Sequence, residues 1–257
     1  MISPLAYIDS SAKIGKNVEI GPFVFIDKNV EIGDDNVIMP NASIMSGARI
    51  GNGNSIFNGA VIAAEPQDFF YKGENTIARI GNNNVIRENA VIIRATFPTG
   101  ETVIGNDNHI MQGVRVSHDV HIGNMNIIGN GTQISGNGIV EDRVILTSNV
   151  LMQGDTRVGT YSCVLGGTNF IKDVPPYCVI NSERGGTFEN VNYPVLEHFK
   201  VDETILKHLS HAFRLLYKVN TTQHEALRRI EEQIPTSPEI KYLVKFIRES
   251  KLGIVGS

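Results

Sequence analysis

The stretch "IDSSAKIGKNVEIGPFVFIDKNVEIG", residues 8–33, carries an isoleucine at every sixth position. The same frame continues to residue 62, resumes over residues 80–92 and runs on over residues 104–170, where Val, Leu, Met or Phe replaces Ile at some positions. Twenty-five positions carry such an apolar anchor. A repeat this long and regular decides the fold of most of the chain.

A six-residue period matches neither the 3.6-residue turn of a helix nor the two-residue alternation of a strand. It is typical of a β-solenoid in which each hexad forms a short strand and a corner, with the anchor pointing into the coil. Three hexads complete a triangular coil, and successive coils stack at about 4.8 Å. The Gly that often follows an anchor, and the Asn residues, are expected at corners, where positive φ costs them little. We predict a parallel β-helix of about eight coils.

Two stretches interrupt the repeat, residues 63–76 and 93–102, and both keep the six-residue frame. We expect each to leave the solenoid as a loop at a corner, and loops on a rigid scaffold often carry function. The repeat ends near "DVPPYCVI", residues 173–180, where consecutive prolines are expected to stop strand pairing. The predicted domains are a β-helix over residues 1–180 and an α-helical domain over residues 181–257.

Three helices are predicted in the C-terminal domain. Over residues 202–218 the apolar residues recur at helical spacing behind Asp202, a suitable N-cap, and similar patterns cover residues 222–233 and 237–249. Such a tail can cap the exposed strand edges at the end of a solenoid and contact other copies of the chain. Substrate contact by the linker is the alternative.

Composition bounds the function. The 257 residues are 41% hydrophobic with a formal net charge of −4, which indicates a soluble globular protein without a broad basic surface for nucleic acid. Two cysteines, Cys163 and Cys178, form no disulfide framework and suit a reducing compartment. No signal-peptide pattern opens the sequence and no apolar run could span a bilayer, so we expect a cytoplasmic protein without an integral membrane segment.

The candidate chemistry lies in "GVRVSHDVHIGN", residues 113–124. His118 is expected on a flat face, pointing away from the coil axis, whereas His109 and His121 are expected at corners. His118 could be a general base, a metal ligand or a solvated side chain. A zinc site needs three convergent ligands, and the positions one coil away from His118 hold Gly100 and Gly136, so we predict no metal.

Gly136 stacks on His118 in this register and leaves a backbone N–H exposed beside the imidazole. A base next to an oxyanion donor, without a Ser or Cys nucleophile, predicts direct acyl transfer in which an acceptor hydroxyl attacks. Asp119 follows His118, and neighbouring residues on a strand point to opposite sides. A His–Asp pair therefore requires a local bend of the backbone.

The chain resembles, over its whole length, the bacterial acyl-ACP:UDP-N-acetylglucosamine O-acyltransferase family. The resemblance implies a left-handed β-helix and a homotrimer with active sites in clefts between neighbouring prisms. It also implies hydroxyacyl transfer from acyl carrier protein to the glucosamine 3-hydroxyl in lipid A biosynthesis, with no cofactor besides that donor. The motifs that carry it are "PQDFFYKGE" (66–74), "IGNNNVIREN" (80–89), "IRAT" (93–96), "SHDVHIGN" (117–124) and "KDVPPY" (172–177).

By this resemblance His118 is the general base, Asp119 the acid that orients it and Gly136 the oxyanion donor. Gly166 matches the floor of the acyl groove, where a larger side chain would shorten the accepted chain. One of two asparagines matches a contact to uridine. The positions implied in substrate binding are Gln67, Asp68, Arg115, Asn137, Gln153, Gly166 and Asn190 or Asn192.

Departures from the family pattern surround this constellation. Phe70 stands where the family has Lys, with Lys72 as a possible substitute. Arg115, Asn137 and Gln153 stand where it has His, and residues 197–198 are Glu-His instead of the Arg pair that grips diphosphate. Arg115 and Lys172 are candidate phosphate contacts. The alternatives are an acyltransferase with another acceptor or a coenzyme A donor, and a catalytically weak trimeric scaffold.

Overall fold

The structure is a computed structural model that describes residues 1–219 and 221–256. The chain forms a left-handed parallel β-helix, as predicted, followed by four α-helices. Three sheets make the walls of the prism. The first sheet contains β1 (Tyr7–Ile8), β4 (Phe25–Ile26), β7 (Ser43–Ile44), β10 (Val61–Ala64), β13 (Val91–Ile93), β16 (Arg115–Val116), β19 (Gln133–Ile134), β22 (Leu151–Met152) and β25 (Asn169–Phe170).

The other two walls have the same construction. The second sheet contains β2 (Lys13–Ile14), β5 (Glu31–Ile32), β8 (Ala48–Ile50), β11 (Ile77–Ile80), β14 (Glu101–Ile104), β17 (His121–Ile122), β20 (Ile139–Val140) and β23 (Arg157–Val158). The third contains β3 (Glu19–Ile20), β6 (Val37–Ile38), β9 (Ser55–Ile56), β12 (Val85–Ile86), β15 (His109–Ile110), β18 (Ile127–Ile128), β21 (Ile145–Leu146), β24 (Cys163–Val164), β26 (Cys178–Asn181) and β27 (Thr187–Val191).

Each strand of the repeat pairs in parallel with the third strand along the chain, so every coil lies on the one before it. The two insertions are confirmed as loops, and parallel pairing resumes beyond them, with a register shift between Ile62 and Ala64 where the first loop begins. Strand β10 extends to Ala64 and β14 begins at Glu101, so the residues outside strands are 65–76 between β10 and β11 and 94–100 between β13 and β14. Both departures lie where the first sheet meets the second, so the two loops project from the same edge of the prism.

The interior is a column of anchors closed at one corner by a ladder of amides. Anchors such as Ile44 and Ile62 are completely buried. The corner ladder consists of buried asparagines whose side-chain oxygens accept the backbone N–H of the asparagine one coil further on, as Asn54 Oδ1 does from Asn84 N–H at 2.9 Å. The ladder satisfies polar groups that burial would otherwise leave unpaired.

The glycines that follow an anchor do not serve as predicted. Positive φ falls on the third residue after the anchor, for example at Asn17 and Asp35, whereas Gly33 and Gly51 keep ordinary backbone angles. A Cβ built on Gly33 would lie 2.7 Å from Gly51 oxygen. Glycine is required there because the next coil passes too close for a side chain.

The placement of three histidines was also predicted wrongly. His109 and His121 begin strands β15 and β17 on flat walls, and His118 lies in the turn between β16 and β17. The corner comes two and three residues after each anchor, so His118 falls in a turn. His109 and His121 directly precede an anchor and therefore fall on a strand. His118 is thus at a corner.

The prolines of residues 173–180 do not end the sheet. Strand β26 follows them and pairs in parallel with β24, and β27 then adds an antiparallel strand. The prediction that strand pairing stops at the prolines was therefore wrong, because the strand resumes two residues beyond them. β26 runs across residue 180, and the division into two domains at that point stays a prediction.

The predicted helices are confirmed, and one more precedes them. They are α1 (Tyr193–His198), α2 (Glu203–Tyr217), α3 (Gln223–Gln233) and α4 (Pro238–Glu249), with a short 3-10 helix at Glu183–Gly185. Asp202 caps α2 by accepting the Thr204 N–H at 2.8 Å. Helix α4 packs on the last coils, where the Arg157 guanidinium lies over the Phe246 ring. Among the described residues, none of the helices has the length and apolar character that crossing a bilayer requires.

Candidate active site

His118 and Asp119 share the turn at which the chain passes from β16 in the first sheet to β17 in the second. We name the corner formed by residues 118–119, 136–137 and 154–155 the His118 edge. Asp119 has a φ of 58°, and this left-handed residue is the bend that a His–Asp pair requires. His118 Nδ1 consequently lies 3.0 Å from Asp119 Oδ2.

The Asp119 carboxylate is fixed by the loop of residues 93–102. Thr96 N–H donates to Asp119 Oδ2 at 3.0 Å, and Thr102 Oγ1 accepts the Asp119 N–H at 2.9 Å. A Cβ on Gly100 would collide with Asp119 Oδ1. Because a carboxylate can only accept, the bond to Asp119 requires the proton on Nδ1, and in a neutral imidazole this leaves the lone pair on Nε2. This is the tautomer of a general base.

Gly136 lies against the imidazole one coil further on. A Cβ built on Gly136 would lie 2.6 Å from His118 Nε2, so the ring occupies the space of a side chain. The next amide, Asn137 N–H, donates to the His118 carbonyl at 3.2 Å. Within the described part of the chain no acceptor takes the Gly136 N–H. An unused backbone donor therefore lies beside the base.

Asp68 approaches from the other side on the loop of residues 63–76. Its Oδ2 lies 3.7 Å from His118 Nε2 and accepts the Thr96 hydroxyl at 2.9 Å. The Phe70 N–H donates to Asp68 Oδ1 at 3.1 Å. This backbone hydrogen bond is the largest cause that lowers the pKa of Asp68, and the bond from Thr96 and the nearby His118 add to it. Asp68 is thus held as an acceptor facing the base.

A cavity of about 410 Å³ opens at this point, lined by Asp68, Phe70, Phe97, His118, Asp119 and Asn137. Its volume suits a sugar-sized group. Phe70 is 68% and Phe97 48% exposed, with ring centroids 6.4 Å apart, so the two loops present an aromatic surface beside the base. Slightly larger cavities lie on the C-terminal helices, but in this one the lining His is hydrogen-bonded to a lining carboxylate.

Several predicted substrate-binding residues adjoin this cavity. Asn137 lines it, and Gln67 precedes Asp68 on the same loop. Arg115 Nη2 donates to Gln67 Oε1 at 2.6 Å, so Arg115 is linked to the loop. Gln153 lies at the His118 edge beyond Gly136, where its Nε2 donates to Asn169 Oδ1.

Three predicted residues lie elsewhere on the same chain. Gly166 is exposed at the corner between β24 and β25, where the third sheet meets the first. Asn190 is exposed on β27, and Asn192 is buried with its Nδ2 donating to Tyr161 oxygen at 2.7 Å. The structure of one chain does not bring these residues to the His118 cavity.

Sequence reasoning missed the residues that hold the site together. Thr96 connects both carboxylates, Thr102 supports Asp119, and Phe97 lines the cavity. The repeat gives no register for residues inside a loop. The one sequence signal for Thr96 is its place in the motif "IRAT", residues 93–96. Within the described residues, no three His, Cys, Asp or Glu side chains are grouped so that they could hold a metal ion.

Two family models and several known proteins match the chain. A family model described as UDP N-acetylglucosamine O-acyltransferase, domain 2, matches residues 173–255, and one described as bacterial transferase hexapeptide matches residues 29–64. The acyl-[acyl-carrier-protein]–UDP-N-acetylglucosamine O-acyltransferase of Xylella fastidiosa is 38% identical over 98% of this chain and 96% of its own. The enzyme of that name from Pseudomonas entomophila is 36% identical over 98% of each chain.

Solved structures show the same likeness. A UDP-N-acetylglucosamine acyltransferase from Bacteroides fragilis superposes with a TM-score of 0.97 at 49% identity and covers 99% of this chain and 100% of its own. A hexapeptide solenoid with a His–Asp pair at one edge defines a hexapeptide-repeat acyltransferase. This chain belongs to the UDP-N-acetylglucosamine O-acyltransferase family.

Proposed function

We propose that the protein transfers a hydroxyacyl chain from acyl carrier protein to a hydroxyl of UDP-N-acetylglucosamine, a reaction of lipid A biosynthesis. One observation carries the proposal. His118 Nδ1 is bonded to Asp119 at 3.0 Å, and the same ring packs on Gly136, whose N–H is unused. Relatives that are similar over nearly the whole chain bear the name of this activity.

The transfer needs no covalent enzyme intermediate. His118 Nε2 removes the proton of the acceptor hydroxyl while its oxygen attacks the thioester carbonyl carbon. Asp119 accepts the hydrogen bond from His118 Nδ1–H and stabilises the imidazolium that forms. The Gly136 N–H donates to the oxyanion of the tetrahedral intermediate. When the carbon–sulfur bond breaks, His118 returns the proton to the departing thiolate.

The residues around the dyad are proposed to bind the two substrates. Asp68 faces His118 with an acceptor oxygen and suits a sugar hydroxyl, and Gln67 and Asn137 flank it. The other proposed contacts belong to the parts of the substrates that extend from the cavity, and some reach it only from a neighbouring copy. They are Arg115, Gln153, Gly166 at the acyl groove and Asn190 or Asn192 at the uridine.

The assembly is proposed to be a cytoplasmic homotrimer that needs acyl carrier protein as donor and no further cofactor. The cavity beside His118 lies on an open edge of the prism, and a second copy packed along that edge would enclose a substrate there. Residues 1–180 would carry the chemistry. Residues 181–257 would cap the solenoid and contribute contacts between copies.

Replacing the base tests the proposal. His118→Ala should lower kcat by about 10²–10⁴-fold with a hydroxyacyl-ACP donor and UDP-N-acetylglucosamine. His109→Ala is the matched control, because His109 lies exposed on the third sheet, away from the His118 edge. Retention of wild-type turnover by a folded His118→Ala protein would refute the mechanism. If the wild-type protein turned over only with a coenzyme A donor, or only with an acceptor other than UDP-N-acetylglucosamine, the alternative with that donor or acceptor would be favoured.

A further inference from the structure

The Arg143 guanidinium lies against a pair of aromatic rings, one on the solenoid and one at the end of helix α1. Its Cζ lies 5.4 Å from the centroid of the Tyr161 ring and 5.1 Å from that of Phe199. The two rings are themselves in edge-to-face contact, with centroids 5.4 Å apart. The three distances are nearly equal, so the guanidinium lies against one side of the ring pair and makes cation–π contacts with both rings. The arginine is therefore pre-positioned.

The hydrogen-bonding capacity of Arg143 is unused. Its Nε is buried and has no partner, and no carboxylate of the described residues lies within ion-pair distance of its guanidinium. The two acids that precede it are engaged elsewhere, since Asp142 Oδ1 accepts from Asn124 and Glu141 from Thr160. An arginine presents five donors in a planar fork that matches a phosphate group. Such a fork without a partner points to an anionic ligand.

Other stacked arginines lack this feature. Arg87 lies 4.3 Å over the Phe57 ring and pairs with Glu88 at 2.9 Å. Arg157 lies over Phe246 and donates to the Phe246 carbonyl at 2.9 Å. Aromatic stacking alone thus does not require free donors.

Arg143 lies beside the segment where the resembling family has an arginine pair that contacts phosphate. Phe199 directly follows residues 197–198, where the resembling family has its arginine pair and this chain has Glu-His. The backbone carbonyl of Tyr161, the other ring partner, accepts a hydrogen bond from the side-chain amide of Asn192. Arg143 thus places a guanidinium of the solenoid beside the segment where the resembling family has two arginines.

We propose that Arg143 binds the diphosphate of the nucleotide-sugar acceptor, in place of the absent arginine pair. This inference rests on the proposed function. Arg143 lies at the edge between β20 and β21, where the second sheet meets the third, so the second sheet separates it from His118 on one chain. The acceptor therefore reaches the His118 of one copy and the Arg143 of a neighbouring copy.

Binding of UDP to the full-length protein tests the inference. Arg143→Met keeps an unbranched side chain against the rings but removes the donors. Calorimetric titration should show UDP bound about 10- to 100-fold more weakly, the range expected for lost charged hydrogen bonds, with uridine affinity unchanged. In turnover assays the KM for UDP-N-acetylglucosamine should rise by a similar factor, while the KM for acyl-ACP stays constant. Arg87→Met is the control and should alter none of these values.

Two results would overturn the inference. One is wild-type affinity for UDP in a folded Arg143→Met protein. The other is a raised KM for acyl-ACP with an unchanged KM for the nucleotide sugar, which would assign the anion to the acyl donor. Titration with UDP does not depend on turnover, so a wild-type protein without acyltransferase activity would sink the proposed function and leave the test of Arg143 valid.

Discussion

At the residue scale, the His118 imidazole fills the volume that a side chain at residue 136 would need. The sequence predicted this contact because the solenoid repeat places residue 136 directly over residue 118. It could not predict that Thr96 joins the carboxylates of Asp68 and Asp119, because the path of a loop is not set by the repeat. The contact between His118 and Gly136 followed from register, whereas the bend at Asp119 and the support from Thr96 did not.

Gly136→Ala should therefore disable catalysis without unfolding the protein. The added Cβ would displace the His118 ring from Asp119 and cover the unused amide. We expect kcat to fall by about 10²–10³-fold, the loss typical of a missing oxyanion donor. The melting temperature, followed by circular dichroism, should change by only a few degrees. Wild-type kcat in this variant would contradict the role given to Gly136.

At the element scale, the strands are short and depend on their corners. The hexads were predictable because each buries one anchor and turns at a fixed position. The antiparallel strand β27 and helix α1 were not, because neither continues the six-residue pattern and each is positioned by packing against the last coils. A two-residue strand has few ladder bonds of its own, so the buried asparagine ladder carries much of the corner's stability.

Asn84 lies in the middle of that ladder. Its Oδ1 accepts the backbone N–H of Asn108 at 3.0 Å, and its Nδ2 donates to Asn54 Oδ1 at 3.0 Å. Asn84→Ala leaves the Asn108 N–H buried without an acceptor, which should lower the free energy of unfolding by about 2 kcal/mol. The effect is measured as a lower melting temperature in scanning calorimetry.

Asn82→Ala is the matched control for this prediction. Asn82 accepts the Asn52 N–H at 2.8 Å by the same chemistry, but it is exposed, so water can replace the lost bond. Its effect should stay within about 0.5 kcal/mol. Equal destabilisation by the two substitutions would show that burial does not decide the strength of the ladder.

At the scale of the whole molecule, the residues proposed to bind substrate lie on separate edges of the prism. The predicted residues Gly166 and Asn190 lie away from the His118 cavity on one chain, as does Arg143. The sequence predicts the prism, because its period is intramolecular. It does not contain a comparable regularity for the contacts between copies, so the proposed trimer rests on the family resemblance and on the open edge beside His118, which a second copy would enclose.

Mixed assemblies test whether the site is shared between copies. Co-expressed His118→Ala and Arg143→Met chains should form some interfaces with both residues intact, about a quarter of all sites at equal mixing in a cyclic trimer. At an acceptor concentration too low for Arg143→Met alone, the mixture should recover activity in that proportion, while each parent stays nearly inactive. Light scattering checks that the mixed species are trimers. If activity does not exceed the average of the parents, the two residues serve the same copy.

Both loops of the His118 edge leave at a corner between two walls, and the strands beyond them pair again with the neighbouring coils. Their length and chemistry can consequently change without moving any anchor in the column below. A loop grafted from a relative could therefore change the lining of the cavity, provided that it keeps Thr96, which holds the carboxylate beside the imidazole.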